Sequence, residues 1–188
     1  LGYVQRRSGD MRYHLGGRIL NLARIAGDDN MLRARLRPVL EAVARRSGAT
    51  AWLAVPSGDQ ATYLDIVGPD GLCPTRPCVP HRENLEGSAV GWVFLACVPG
   101  LGKRVLATRA NALDEDVLSR IEKVRIKGYA LDLEAYRPGL NGVAIPWRDN
   151  GEVKASLCLT GPPDRFPQQR LIRLAWMMMR AVEQHDVQ

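Results

Sequence analysis

The residues of this chain best suited to chemistry are few and small. Ser156, Cys158 and Thr160 are spaced by two in the run Val153–Thr160, VKASLCLT, so a strand there carries all three on one face. Asp132 is the one carboxylate in the strand-like run Tyr129–Leu133 upstream. Ser88 precedes the apolar run Ala89–Cys97 and reads as a helix start, where backbone N–H groups lack intrahelical partners and the dipole favours negative charge. A carboxylate ligand can dock on such amides; Ser88 as an ordinary cap with nothing bound fits these residues equally well. Small polar side chains, a carboxylate and free amides suit the wall of a pocket for a small oxygen-bearing molecule. Cys158 as the nucleophile of a small-molecule enzyme is the alternative, but no His or basic partner is recognisable for it.

Other chemistries leave little trace. Cys73, Cys78, Cys97 and Cys158 form no Cys-x-x-Cys pair, and His14, His81 and His185 lie far apart, so neither a metal site nor a cofactor is expected. Gly100-Leu-Gly-Lys103 lacks the spacing and the Ser or Thr of a phosphate-binding loop, and no Gly-x-Ser-x-Gly elbow occurs. The net charge is +6, yet the basic residues are mixed with 20 acidic ones, which favours a solvated basic surface over direct reading of DNA by this segment. No run of 18 apolar residues and no signal peptide is evident, so a cytoplasmic protein without a membrane span is expected.

The elements that must position these groups follow from pattern. With 188 residues, 46% of them hydrophobic, the chain suffices for one domain with at most a small appendage. YVQR and MRYHL read as two short strands around Ser-Gly-Asp, a hairpin that needs a neighbour to be stable; a missing N-terminal piece is expected from this and from the non-methionine start. Leu15–Ala26 reads as a helix that Gly27-Asp28-Asp29-Asn30 breaks, and a second helix runs from Asn30 to Ser47-Gly48 with a stripe of Leu32, Leu36, Val39, Leu40 and Val43. Residues 50–55 and 60–67 form a strand pair, and the four prolines of residues 68–86 predict an irregular crossing with at most a short strand at Cys78-Val79. A helix over residues 111–127 ends on Gly128. Gly142–Trp147 and Val153–Thr160 make a hairpin through Asn150-Gly151, and residues 167–185 form an amphipathic helix packed on the sheet.

In sequence order, MRYHLGGRILNLA, LEAVARRSGATAWLAV, LEGSAVGWVFLA, VRIKGYALDLEAYRPGLNGVAIPW and SLCLTGPPDRF resemble the C-terminal effector-binding domain of the IclR family of bacterial transcriptional regulators. The resemblance covers nearly the whole chain. It implies an α+β fold, a GAF-like or profilin-like antiparallel sheet flanked by helices, and no catalysis. Residues 1–14 then correspond to a remnant wing hairpin of a missing winged helix-turn-helix domain, 15–27 to a linker helix and 28–188 to the effector-binding domain. The implied partners are a small-molecule effector, a carboxylate or aromatic acid; DNA, through the missing domain; and further copies of the chain in a homodimer or homotetramer. A module that dimerises through the arginine-rich helix without a ligand is a third reading.

Carried over by motif, the implied ligand-binding residues are Ser88, Ala89 and Val90 at the helix start, Asp132 after Gly-Tyr-x-x, Leu140 and Gly142 beyond it, and Cys158 and Thr160 in the last strand. The amides of Ala89 and Val90 would hold a carboxylate, with Asp132, Cys158 and Thr160 gripping its oxygens or hydroxyls. Leu85-Glu86-Gly87-Ser88-Ala89-Val90-Gly91-Trp92 departs from the family's Leu-His-Ala-Ser-Ala-x-Gly-Lys: the His and the Lys are absent.

Overall fold

The structure, a computed structural model, describes residues 4–6, 13–15, 18–72, 81–107 and 115–186. The chain divides into two units, residues 1–36 and 37–188. In the first, β1 (Val4–Arg6) pairs antiparallel with β2 (Tyr13–Leu15), Val4 opposite Leu15, and α1 (Arg18–Ser47) begins. The expected break at Gly27–Asn30 is not there: α1 is one helix of 30 residues. A single glycine inside a helix costs only about 1 kcal/mol relative to alanine, and a long flanking helix absorbs it. Asn30 therefore caps nothing.

The second unit holds a six-stranded antiparallel sheet in the order β5-β4-β3-β8-β7-β6, made of β3 (Thr50–Ser57), β4 (Gln60–Val67), β5 (His81–Asn84), β6 (Ala130–Leu133), β7 (Asn141–Asp149) and β8 (Glu152–Gly161). Its helices are α2 (Ala89–Cys97), α3 (Leu101–Ala107), α4 (Glu115–Lys127) and α5 (Gln168–Asp186). This is the α+β class expected from the resemblance. The hairpin β7–β8 turns on Asn150 and Gly151, both with positive φ, between the paired Asp149 and Glu152, as an Asn-Gly pair demands. Two elements escape the sequence patterns. Strand β5 lies in the segment read as irregular, and α3 has only seven residues. The short strand expected at Cys78-Val79 falls outside the described residues.

Strand alternation divides the core. Ala54, Ala61, Tyr63, Ala144 and Cys158 point to the face covered by α2, with Val93, Phe94 and Leu95 of α2 and Ile121 and Val124 of α4 in the same cluster. Val143, Ile145, Leu157 and Leu159 alternate to the opposite face and are buried, as are Leu171, Ala175 and Met178 of α5, which packs on β7 and β6. The end of α1 is tied in by Arg37, whose Nη1 donates to the buried Asp65 at 2.9 Å, and by Arg170, whose Nη2 donates to the Ser47 carbonyl at 2.9 Å. Among the described residues no helix is long and apolar enough to cross a membrane.

Candidate functional site

A cavity of about 140 Å³ opens on the α2 face of the sheet, between the start of α2, strands β3, β4, β7 and β8, and the loop joining β6 to β7. For scale, an engineered apolar cavity of about 150 Å³ takes up benzene. The space therefore suits one small ring or a molecule of similar bulk. All eight residues singled out from the sequence, Ser88, Ala89, Val90, Asp132, Leu140, Gly142, Cys158 and Thr160, line it. Ser156 does not; its hydroxyl donates to the Ile145 carbonyl at 3.1 Å and is spent within the hairpin. Trp52, Tyr63, Glu83, Tyr136 and Arg137 complete the lining.

The floor is aromatic because of a register shift. Leu53 pairs with Asp65 but Ala54 pairs with Tyr63, so Leu64 is an extra residue on β4. Such a bulge reverses which face the following side chains take. It turns Tyr63 onto the cavity face beside Trp52, edge to face at 5.3 Å between centroids, while Asp65 points to the far side and meets Arg37. Trp52 Nε1 donates to Thr160 Oγ1 at 2.8 Å. Indole only donates, so Thr160 accepts here and keeps its own hydroxyl hydrogen for a bound oxygen.

Ser88 is indeed the N-cap of α2. Its Oγ accepts from the Gly91 N–H at 3.0 Å and donates its single hydrogen to Glu83 Oε1 at 2.6 Å. The Tyr63 hydroxyl donates to the same oxygen at 2.7 Å. Ser88 thus positions Glu83 and has no hydrogen left for a ligand. The backbone N–H groups of Ala89 and Val90, the first of the helix, donate to no protein acceptor among the described residues, and both residues line the cavity. Glu83 reaches it because β5 alternates: Arg82 and Asn84 are exposed while Glu83 is buried opposite Ala61. No sequence pattern marks Glu83; its strand is short, polar and at the sheet edge.

Asp132 Oδ1 accepts from the N–H groups of Ala135 at 2.9 Å and Tyr136 at 3.2 Å, which folds the β6–β7 loop over the cavity and brings Tyr136, Arg137 and Leu140 to its rim. Burial pushes the Asp132 carboxyl above its ordinary value, opposed by these two amides and by the charge of Arg120. A raised folded-state pKa means that the fold prefers the protonated acid, so this contribution to stability is full below the ordinary value of 3.8 and is lost as pH rises through the folded-state value. Asp132→Asn keeps the accepting oxygen and removes the charge. It is expected to raise Tm at pH 7 by about 2–4 °C, roughly 1 kcal/mol for a domain of this size, with the gain vanishing in acid; melting curves from pH 3 to 8 check this, and a lower Tm at pH 7 would show that the amides outweigh burial.

Cys158 is buried, with Sγ 3.7 Å from the Leu159 carbonyl. Burial, then the charges of Glu83 and Asp132, hold its thiol well above the ordinary range. A thiolate nucleophile needs the opposite surroundings, so its place in the lining suits packing. Cys97 is also a free thiol, whereas Cys73 and Cys78 lie outside the described residues, and no cluster of potential metal ligands occurs among the described ones. The cavity can thus offer donors from Ala89, Val90 and Thr160, acceptors from Glu83 and Asp132, and aromatic faces between them.

Comparison with known proteins places this architecture. Residues 27–187 match the family described as bacterial transcriptional regulator IclR C-terminal. The chain is 22% identical over 190 residues to the HTH-type transcriptional regulator XynR of Escherichia coli K12, covering 96% of this chain and 75% of XynR. It is 29% identical over 164 residues to BhcR of Paracoccus denitrificans, covering 80% of this chain and 57% of that regulator. Among solved structures, Thermotoga maritima IclR superposes with a TM-score of 0.72 at 26% identity, over 98% of this chain and 78% of that one. An IclR homologue from Microbacterium hydrocarbonoxydans, crystallised with 4-hydroxybenzoate, shares the fold at a TM-score of 0.71 and 21% identity, over 98% of this chain and 79% of that one.

Proposed function

The chain belongs to the IclR family of bacterial transcriptional regulators, as its C-terminal domain, and on that premise we propose that the cavity at the start of α2 is its effector site. A small organic acid or aromatic metabolite bound there alters how a separate N-terminal winged helix-turn-helix domain engages DNA. The observation that carries this reading is the convergence, around one ring-sized space, of Ala89, Val90, Thr160, Glu83 and Asp132, polar groups from distant parts of the chain. A cavity kept only for packing would be lined by apolar groups throughout, since unpaired buried polar groups are costly.

On this reading Ala89 and Val90 hold a ligand oxygen, Thr160 donates to a second, and Trp52 and Tyr63 cover the ring. Leu140 and Gly142 give shape; Gly142 adds no side chain, which leaves space opposite Thr160. The hairpin β1–β2 and the start of α1 are read as the wing and linker of the DNA-binding part, and the working form as a homodimer or homotetramer. Coupling requires the effector to bind one arrangement of the assembly more tightly than another.

Thermal melting with one-ring and small aliphatic acids, beginning with 4-hydroxybenzoate, tests the site. At about 100 times its Kd a true effector contributes about 2.7 kcal/mol, or about 5–10 °C in Tm. A panel in which no compound moves Tm would count against an effector site here.

A further inference from the structure

We infer that Glu83 makes this cavity select an effector bearing a hydrogen-bond donor, a ring hydroxyl or amino group placed on the Glu83 carboxylate, while an oxygen elsewhere on the ring accepts from Ala89, Val90 or Thr160. The inference rests on the effector reading above and names the class of molecule that the site takes.

Glu83 is only 6% exposed although it sits on a four-residue strand at the sheet edge. A carboxylate on such a strand can turn to water at no cost; turned inward, it loses hydration that packing alone does not return. It is instead fixed. Tyr63 and Ser88 both donate to Oε1, each spending its one hydroxyl hydrogen, so neither can serve a ligand. Both bonds fall on Oε1, which leaves Oε2 of this cavity-lining residue able to accept from a further donor. The hydroxyl that competes for Glu83 belongs to Tyr136, which is 42% exposed at the rim and hydrogen-bonds the Glu83 carboxylate; a bound donor can take its place.

Charge points the same way. Glu83 and Asp132 both line this space, and no described Lys or Arg side chain stands within ion-pair distance of either. Among the described residues, Arg137, exposed at the rim, is the only cationic side chain in the lining. A ligand with one carboxylate can use the amides of α2 or the rim. A second carboxylate would have to lie against Glu83 or Asp132, where like charges repel. A hydroxyl or amino group in that position is attracted.

Calorimetric titration of the chain with benzoate, 3-hydroxybenzoate, 3-aminobenzoate and isophthalate separates the terms, since the four share one ring and differ in what they offer Glu83. The hydroxyl or the amino compound is expected to bind about 10–100-fold more tightly than benzoate, the range for a hydrogen bond to a charged group, and isophthalate more weakly than benzoate. Glu83→Gln, which keeps an accepting oxygen for Tyr63 and Ser88, should bring the four within about threefold of one another. Glu83→Asp, which keeps the charge but withdraws it, should still reject isophthalate while losing the donor preference; it supplies the readout if the Gln variant fails to fold. Benzoate or isophthalate binding as tightly as the donor-bearing rings to the unaltered chain overturns the inference, as does a donor preference that survives in Glu83→Gln. If none of the rings binds, this inference fails, and the effector reading fails with it only when the aliphatic acids also leave Tm unmoved. Rings that bind without discrimination sink the inference alone.

Discussion

Gly91→Ala is expected to lower the stability of the domain by about 4 kcal/mol or more, a size reserved for named structural faults, and its Tm by about 8–16 °C. The sign is not obvious, because Gly91 lies inside α2 and alanine favours a helix by about 1 kcal/mol. Space decides it. A Cβ on Gly91 would stand 1.8 Å from the Leu85 carbonyl oxygen, 2.3 Å from its carbon and 2.6 Å from the Leu85 Cα. All three are backbone atoms, so no rotamer relieves the overlap. The residue 85–88 segment must lift from α2, and with it go Ser88, its bonds to Glu83 and Gly91, and the wall of the cavity. Gly139→Ala is the matched control: its φ is +75° and nothing lies within 4 Å of the added carbon, so it carries backbone strain of about 1 kcal/mol and no clash. Urea unfolding of both variants measures the difference. A Gly91→Ala protein as stable as the Gly139→Ala one would mean that the β5–α2 connection is looser than its contacts imply.

The double variant Asp132→Ala with Thr160→Val is expected to abolish the response to any effector, with affinity falling at least about 100-fold. Thr160→Val keeps the shape of the strand but removes the one hydroxyl that is already oriented, through its bond from Trp52, to donate into the cavity. Asp132→Ala removes an acceptor and also releases the Ala135 and Tyr136 amides, so the loop that carries Tyr136, Arg137 and Leu140 loses its anchor. Both changes act on one space, so their effects on binding should not add. Titration with a ligand identified by thermal melting measures the loss, and Thr160→Ser, which retains the hydroxyl, is the control that should bind. Unchanged affinity in the double variant would place the effector elsewhere.

Much of this arrangement is legible before any coordinates. Asn150-Gly151 announces the β7–β8 hairpin because few other pairs accept two left-handed residues in succession. Ser88 marks the start of α2, and the spacing of Cys158 and Thr160 puts both on the face that lines the cavity. Asp132 shows as the one carboxylate of a strand-like run, whereas Leu140 and Gly142 come from the likeness to a family, which carries positions that no local pattern reveals. What escapes has physical causes. Glu83 occupies a polar strand that is held by its neighbour β4 rather than by its own propensity, inside a proline-rich segment that predicts at most a short strand at Cys78-Val79. Tyr136 and Arg137 belong to a loop whose path is set by the Asp132 carboxylate, four and five residues earlier. The unbroken α1 defeats the reading of Gly27–Asn30 as a break because local breaker signals are small against the cooperativity of a long helix.

Tyr63 escapes for a different reason. Ordinary alternation along β4 would send it to the side of Asp65, and only the additional residue Leu64 brings it to the cavity. The aromatic floor is thus a matter of parity rather than of composition. Substituting Leu64 by another residue leaves the count, and so the direction of Tyr63, as it was. A change of one in the number of residues between Thr62 and Asp65 would exchange the phenol for its neighbour and remove one of the hydroxyls that hold Glu83. Specificity in this domain is written partly in the length of a strand, where a substitution scan alone would not find it.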